Sequence, residues 1–279
     1  MTESILWTSL RRVRRNRGAM AGLVLLALFS MGAILAPYIA PYDPQAMNYD
    51  VRLAPPGGSF LMGTDEFGRD VFRAVLHGGR ISLVVGFISV SIAGLLGTTL
   101  GLIAGYFSRL DALISRIVDI WLAFPTLLLA IAIVAVLGPG LRNAMIAVGI
   151  AATPSYIRVV RGVVLGARQR EYVEAAHAIG APDSLILWRH ILPNVAAPII
   201  VLSTLQFGGA ILSAAALSFL GLGAQPPTPE WGALVASGRG FIRQAWWMSL
   251  FPGTAIMLVV LGLNLLGDGL RDALDPRLK

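Results

Sequence analysis

The sequence predicts an all-α polytopic membrane protein with six transmembrane helices and both termini on the cytoplasmic side. Three observations predict it. The chain of 279 residues is 56% hydrophobic and only 13% charged, with mean hydropathy +0.74. Soluble domains carry about 25% charged residues, so the deficit places most of this chain in lipid. Six apolar runs are each long enough to cross a ~30 Å hydrocarbon core, which takes roughly 17–25 helical residues. They are continuous and rich in Leu, Ala and Gly, unlike the ~10-residue alternating segments of a barrel. The third observation is the placement of the basic residues. With the N-terminus inside, 15 of the 22 Lys and Arg fall on the inner segments and 7 on the outer ones, as the positive-inside rule requires.

The elements follow in order. Residues 1–18 form a cytoplasmic segment carrying Arg11, Arg12, Arg14, Arg15 and Arg17 ahead of a first span at 19–39. A signal peptide has a similar basic start. Its apolar region is about 7–15 residues, shorter than this run, so an uncleaved anchor is expected. An external loop, 40–80, leads to a core of five spans at 81–106, 117–137, 142–160, 197–220 and 248–268. Gly97, Gly101 and Gly105 recur at four-residue spacing in the second span, where small residues let helices approach closely. The fifth span carries Gly208, Gly209, Ser213, Ala214, Ala215 and Ala216, a small and weakly polar surface suited to either a substrate route or a subunit interface. A cytoplasmic tail, 269–279, closes the chain.

Between spans four and five lies the polar cytoplasmic segment 168–194. A first helix is expected from about Arg168 to Ala178. Gly180 then permits a left-handed or sharply turned backbone, and Pro182 and Asp183 suit the first turn of a second helix. Leu185, Trp188 and Leu192 follow i, i+3, i+7 and give that helix one apolar face. Such a face can dock in a partner's cleft or rest on headgroups. Pro193 is expected to end the helix before span five.

Several activities are excluded. The only lysine is Lys279, so the chain has no Walker A motif. His77, His177 and His190 lack metal-ligand spacing, the absence of Cys removes disulfides and thiolate sites, and no G-x-S-x-G is present. No metal site, bound cofactor or catalytic residue is therefore expected. The net charge of +7 and pI near 10.5 would suit nucleic acid, but the arginines are sorted by membrane side, so no nucleic-acid partner is expected. Asp119 and Arg116 stand three residues apart at the entrance of span three, in a paired or interfacial position. An ion-coupled secondary carrier would place charges at the midplane and show inverted repeats, and the sequence shows neither.

Glu174-Ala175-Ala176, then Gly180, then Leu192-Pro193 stand at the spacing of the EAA loop, the pattern E-A-A, three residues, G, nine residues, I-x-L-P. The isoleucine position holds His190, with Ile191 following. The segment before span two matches G-T-D-x-x-G-R-D…G-x-R-x-S-L through Gly63, Thr64, Asp65, Gly68, Arg69, Asp70, Gly78, Arg80, Ser82 and Leu83. Ser218–Gly223, Pro226-Pro227, Glu230-Trp231-Gly232, Asn264–Asp268, Arg271-Asp272 and Asp275-Pro276 continue the likeness, and the Pro-Tyr-Asp-Pro exit of span one at 41–44 fits it. The chain thus resembles the permease subunits of binding-protein-dependent ABC importers, in the dipeptide/oligopeptide/nickel branch.

The resemblance implies a type I ABC-importer permease fold in a bacterial inner membrane. It implies a second homologous permease, two ABC ATPase subunits that hold ATP and Mg, and an external substrate-binding protein, with peptides as cargo. Glutathione-like peptides, nickel or a nickel chelate are the alternatives. The ATPase-coupling residues would be Glu171, Glu174, Ala175, Ala176, Gly180, Leu185, Trp188, Leu192 and Pro193. Asp65, Arg69, Asp70, Arg80, Glu230 and Trp231 would form a structural clamp or a partner contact, with local ion pairs among Asp65, Arg69, Asp70 and Arg73. Gln206, Ser213 and Asn264 are candidates for lining the pathway.

Overall fold

The computed structural model describes residues 12–41, 43 and 46–274. The expectations placed on Arg11, Tyr42, Pro44, Asp275, Pro276, Arg277 and Lys279 lie outside the described residues. Among the described residues, five helices are long and apolar enough to cross a membrane, or six if one bent pair counts as a single span. The only β-structure among the described residues is two isolated bridges in the loop before the second span, Gly57 to Phe60 and Thr64 to Asp70.

Helix α1, Arg17–Ile39, starts where the Asn16 side chain accepts from the Ala19 N–H at 3.1 Å. It packs on α10, Trp247–Leu274, through small residues. A Cβ on Gly22 would stand 2.5 Å from the Gly262 carbonyl oxygen, and one on Gly269 would stand 2.3 Å from Ala19 Cβ.

Helix α2, Val71–Tyr106, has 36 residues, about 54 Å at 1.5 Å per residue. It begins ten residues before the expected span because the Asp70 carboxylate caps it, accepting from the Phe72 N–H at 2.9 Å and the Arg73 N–H at 3.4 Å. Its glycines lie against α5, Leu141–Arg168. A Cβ on Gly97 would meet Tyr156 Cβ at 2.3 Å, one on Gly101 would meet Val160 Cβ at 2.7 Å, and one on Gly105 would meet Val164 Cβ at 2.6 Å. The four-residue spacing therefore serves close helix packing of α2 on α5.

The third apolar run is not one straight helix. It forms α3, Ser108–Leu122, and α4, Thr126–Leu137, bent by 92°. Pro125 causes the break: its ring cannot continue a helix, and it biases Phe124 away from helical dihedrals. The twelve residues of α4 rise only about 18 Å, so α4 alone is too short to cross. Helix α5 runs eight residues past its expected end, to Arg168. That extension carries Arg161 and Arg168 within the helix.

Candidate functional site

After α5 the chain turns through Gln169 and Arg170 into α6, Glu171–Ala178, so Arg168 belongs to the span and not to the short helix. Two hydrogen bonds end α6: Gly180 N–H donates to the His177 carbonyl at 2.9 Å, and Ala181 N–H donates to the Ala176 carbonyl at 3.1 Å. This is the Schellman closure, which places its C′ residue in the left-handed region. Gly180 sits there, at φ +77°. Helix α7, Asp183–Leu185, follows on Pro182, whose carbonyl accepts from the Leu185 and Ile186 N–H groups.

α7 does not stop at Pro193. It passes through a π-helical stretch, Ile186–Ile191, into α8, Leu192–Phe219, giving one 37-residue helix from Asp183 to Phe219. Proline breaks a helix by lacking an N–H and by crowding the preceding turn. The wider π turn relieves both effects here. Leu192 N–H donates five residues back to Leu187, and the Asn194 amide donates to the His190 carbonyl at 2.6 Å. The coupling segment expected from the sequence is therefore continuous with a membrane span.

The elbow between α6 and α7 has two faces. Val173, Ala176, Ile186 and Ile191 are buried against Leu102, Val160 and Val164. Glu171, Glu174, Ala175 and Gly180 are exposed. Four apolar side chains share that outward surface: Tyr172, Leu185, Ile179 at 84% exposure and Trp188 at 69%. Ile179 and Tyr172 were not singled out from the sequence, since a helix-face count stops at the turn and passes over the residue that crowns it. Ala176 and Leu192 depart from the expected face. Ala176 is buried, and Leu192 packs against the same inner cluster, because the π turn rotates it inward.

At the opposite end of the bundle the other candidate residues divide. Asp65 Oδ2 pairs with Arg69 Nε at 2.6 Å, and Asp70 Oδ2 pairs with Arg73 Nε at 3.3 Å. Arg73 Nη1 also donates to the Pro41 carbonyl at 2.9 Å, and the His77 ring bonds the Ala40 carbonyl at 3.0 Å, tying α1 to α2. Trp247 Nε1 donates to the Thr64 carbonyl at 3.0 Å, which fixes this loop to α10. Glu66 stands beside these groups; burial pushes its carboxyl above the ordinary carboxylate range, and its Oε2 meets no partner among the described residues.

Glu230 and Trp231 are almost fully buried. Glu230 Oε1 accepts from Ser82 Oγ at 3.1 Å, and Oε2 caps α9, Trp231–Gly238, by accepting from the Ala233 N–H at 3.0 Å. Trp231 Nε1 donates to the Val75 carbonyl at 2.8 Å, and its ring lies over Gly78 and Gly79. Arg80 is apart from this cluster, exposed on α2 beside Leu83, Val84 and Phe87, with no ion-pair partner among the described residues. Glu230→Ala removes a helix cap and leaves the Ser82 hydroxyl in a buried site without its acceptor. It is expected to cost about 2–3 kcal/mol, read as a lowered melting temperature of the detergent-purified protein. Glu230→Gln keeps an acceptor and is expected to lose less.

Gln206 and Ser213 are half-buried on α8, seven residues apart, turned away from the Leu205 and Gly208 positions that meet α10; Asn264 is exposed on α10. Asp119 pairs not with Arg116 but with Arg158 of α5, at 2.8 Å, and Asp111 forms a two-point pair with Arg161, the longer contact at 2.8 Å. Helical spacing brought Asp119 and Arg116 near one another, but the α5 arginines face α3 directly. Among the described residues no group of three or more His, Cys, Asp or Glu is arranged to hold a metal ion.

Residues 97–279 match the family described as the binding-protein-dependent transport system inner membrane component. Residues 4–56 match the N-terminal transmembrane domain of oligopeptide transport permease C. The dipeptide transport system permease protein of Alkalihalophilus pseudofirmus is 53% identical over 96% of this chain and 89% of its own length. The di/tripeptide permease of Pseudomonas aeruginosa is 51% identical over 95% and 89%, and the glutathione permease of Pectobacterium atrosepticum is 47% identical over 96% and 90%. Among solved structures, the inward-facing MetNI methionine ABC transporter aligns with a TM-score of 0.59 at 20% identity, over 74% of this chain and 96% of its own. That likeness carries the fold.

Proposed function

Since the chain belongs to the family of binding-protein-dependent transport system inner membrane components, as a multi-pass bacterial permease of the ABC-importer class, we propose that it carries short peptides inward under the drive of separate ATPase subunits docked on the α6–α7 elbow. The observation that carries this reading is the elbow itself. It presents Glu171, Glu174, Tyr172, Ile179 and Trp188 to solvent and runs without interruption into α8. A motor that pushes on α7 therefore pushes on a span bearing the candidate pathway residues Gln206 and Ser213.

In this reading the elbow and both termini lie in the cytoplasm, in keeping with the arginine distribution. The 46–70 and 220–246 segments face the side from which a binding protein delivers cargo. Asp65, Arg69, Asp70, Glu230 and Trp231 hold that face together, while Arg80 is free to meet a partner. The open side of α8 meets a second, similar permease, and the pathway forms between the two. Two ATPase subunits hold ATP and Mg, and their closure tilts the bundle between inward- and outward-open states. This chain's single lysine is Lys279, which leaves no Walker A motif, so ATP hydrolysis falls to the separate subunits.

The test is reconstitution with the second permease, the ATPase subunits and the binding protein. Uptake of a labelled dipeptide is expected to require ATP and all four components, while the purified chain alone hydrolyses none. ATP hydrolysis by this chain free of contaminants would refute the assignment of roles. A glutathione permease among the close relatives supports a second cargo reading, and competition of uptake by glutathione distinguishes the two.

A further inference from the structure

Tyr106 ends α2 at the elbow, 7% exposed, and the sequence pattern gave it no part to play. Its hydroxyl donates to Asp183 Oδ1 at 2.6 Å and lies 3.2 Å from His177 Nε2. One hydroxyl has one proton. With that proton on the carboxylate bond, the hydroxyl oxygen accepts from His177 with its proton on Nε2. The rings of Tyr106 and His177 stack, with centroids 6.3 Å apart and an interplanar angle of 19°. A single side chain on α2 thus holds both helices of the elbow: α6 through His177 and α7 through Asp183. Arg168 completes the junction, since Nη1 donates to the Tyr106 carbonyl at 2.8 Å and to Ser108 Oγ at 2.9 Å.

What lies behind Tyr106 makes the junction mechanical. α2 runs unbroken to the opposite end, where Ser82 and Val75 hold Glu230 and Trp231. α5 packs closely on it at Gly97, Gly101 and Gly105. The elbow is continuous by backbone with α8 and, through the two-residue turn Gln169-Arg170, with α5, and it is joined to α2 by this polar junction and by apolar packing. Apolar packing can slide, whereas a short hydrogen bond to a carboxylate is directional and strong.

We propose that Tyr106 is a positioning residue for coupling: its hydroxyl, bonded to Asp183, makes displacement of the elbow move the α2–α5 pair instead of pivoting the elbow about the Gln169-Arg170 turn. The inference rests on the ATPase-docking reading of the elbow and adds the route by which motion reaches α2.

The experiment uses the complete importer in liposomes and reads transport per ATP hydrolysed. Tyr106→Phe keeps the ring and removes the hydroxyl. It is expected to leave assembly and ATPase attachment intact and to lower the transport-to-hydrolysis ratio by roughly tenfold, the scale of one charge-assisted hydrogen bond. Asp183→Val is expected to match it. Asp183→Asn keeps an acceptor and is expected to restore most of the ratio. The double variant Tyr106→Phe/Asp183→Val is expected to be no worse than either single change, as one shared interaction requires. An unchanged ratio in Tyr106→Phe, or losses that multiply in the double variant, would overturn the proposal. So would loss of assembly in Tyr106→Phe, because the hydroxyl would then serve folding. Each of these outcomes is read against a wild-type complex that couples, so none can be mistaken for failure of the docking reading, in which the wild-type ATPase would not attach to the elbow at all.

Discussion

Gly180→Val is expected to abolish most transport while leaving membrane insertion and pairing with the second permease intact. The reason is backbone and not space. Gly180 holds φ +77°, and a Cβ there would meet nothing within 4 Å. The left-handed conformation costs an ordinary residue roughly 1–2 kcal/mol, and a β-branched one more. That energy is set against the Schellman closure ending α6, so the valine chain reorients α6 relative to α7. A shift of about 2 kcal/mol in the docking-competent population corresponds to roughly a 30-fold loss. The substitutions are expected to rank by their tolerance of positive φ: Gly180→Asn mildest, Gly180→Ala intermediate, Gly180→Val most severe. Loss in all three to the same degree would point to a contact with the glycine surface and away from its conformation. Uptake assays on matched amounts of assembled complex decide between these.

Trp188→Asp is expected to release the ATPase subunits without destabilising the chain. Trp188 is 69% exposed and Ile179, across the elbow, is 84% exposed. Large aromatic side chains at the centre of an interface commonly cost 2 kcal/mol or more when removed, so attachment should weaken by roughly 30-fold or more. Surface substitutions away from special features stay within about 0.5 kcal/mol of the parent in stability, so the melting temperature should not move. Pull-down of the ATPase and thermal denaturation, measured on the same preparation, separate docking from folding.

The sequence carried the architecture further than the joints. Helices α1, α5 and α10 begin within two residues of the starts expected for the first, fourth and sixth apolar runs. Hydropathy measures how much of a run is apolar, not its direction, so the 92° bend at Pro125 was hidden inside a run of suitable length. The prolines also divide by context. Pro125 breaks its helix, while Pro37, Pro154, Pro198 and Pro252 lie inside helices, and Pro193 is carried by a π turn. Neighbouring helices and local adjustments can satisfy the backbone groups a proline frees, and single-residue rules do not see those neighbours.

The candidate sites were legible where the signal was local. Gly180, Glu174 and Trp188 form one short segment. The partners of Glu230 were not legible, because Ser82 lies 148 residues away. Tyr106 reaches Asp183 across 77 residues, and nothing in its own neighbourhood marks it. Asp119 shows the same limit from the other side: its nearest arginine in sequence is not its partner in space.

Docking of the ATPase on the elbow from the cytoplasm is directly measurable. The chain contains no cysteine, so single cysteines introduced at Ala175 and Ile179 on the elbow, and at Ser237 near the opposite end, can be labelled one at a time in inside-out vesicles with a membrane-impermeant maleimide. Ala175 and Ile179 are expected to label rapidly in vesicles stripped of the ATPase and to be protected when the ATPase is added back, while Ser237 stays unlabelled in both. Equal labelling of Ala175 and Ile179 with and without bound ATPase, or labelling of Ser237 in place of the elbow, would contradict the account.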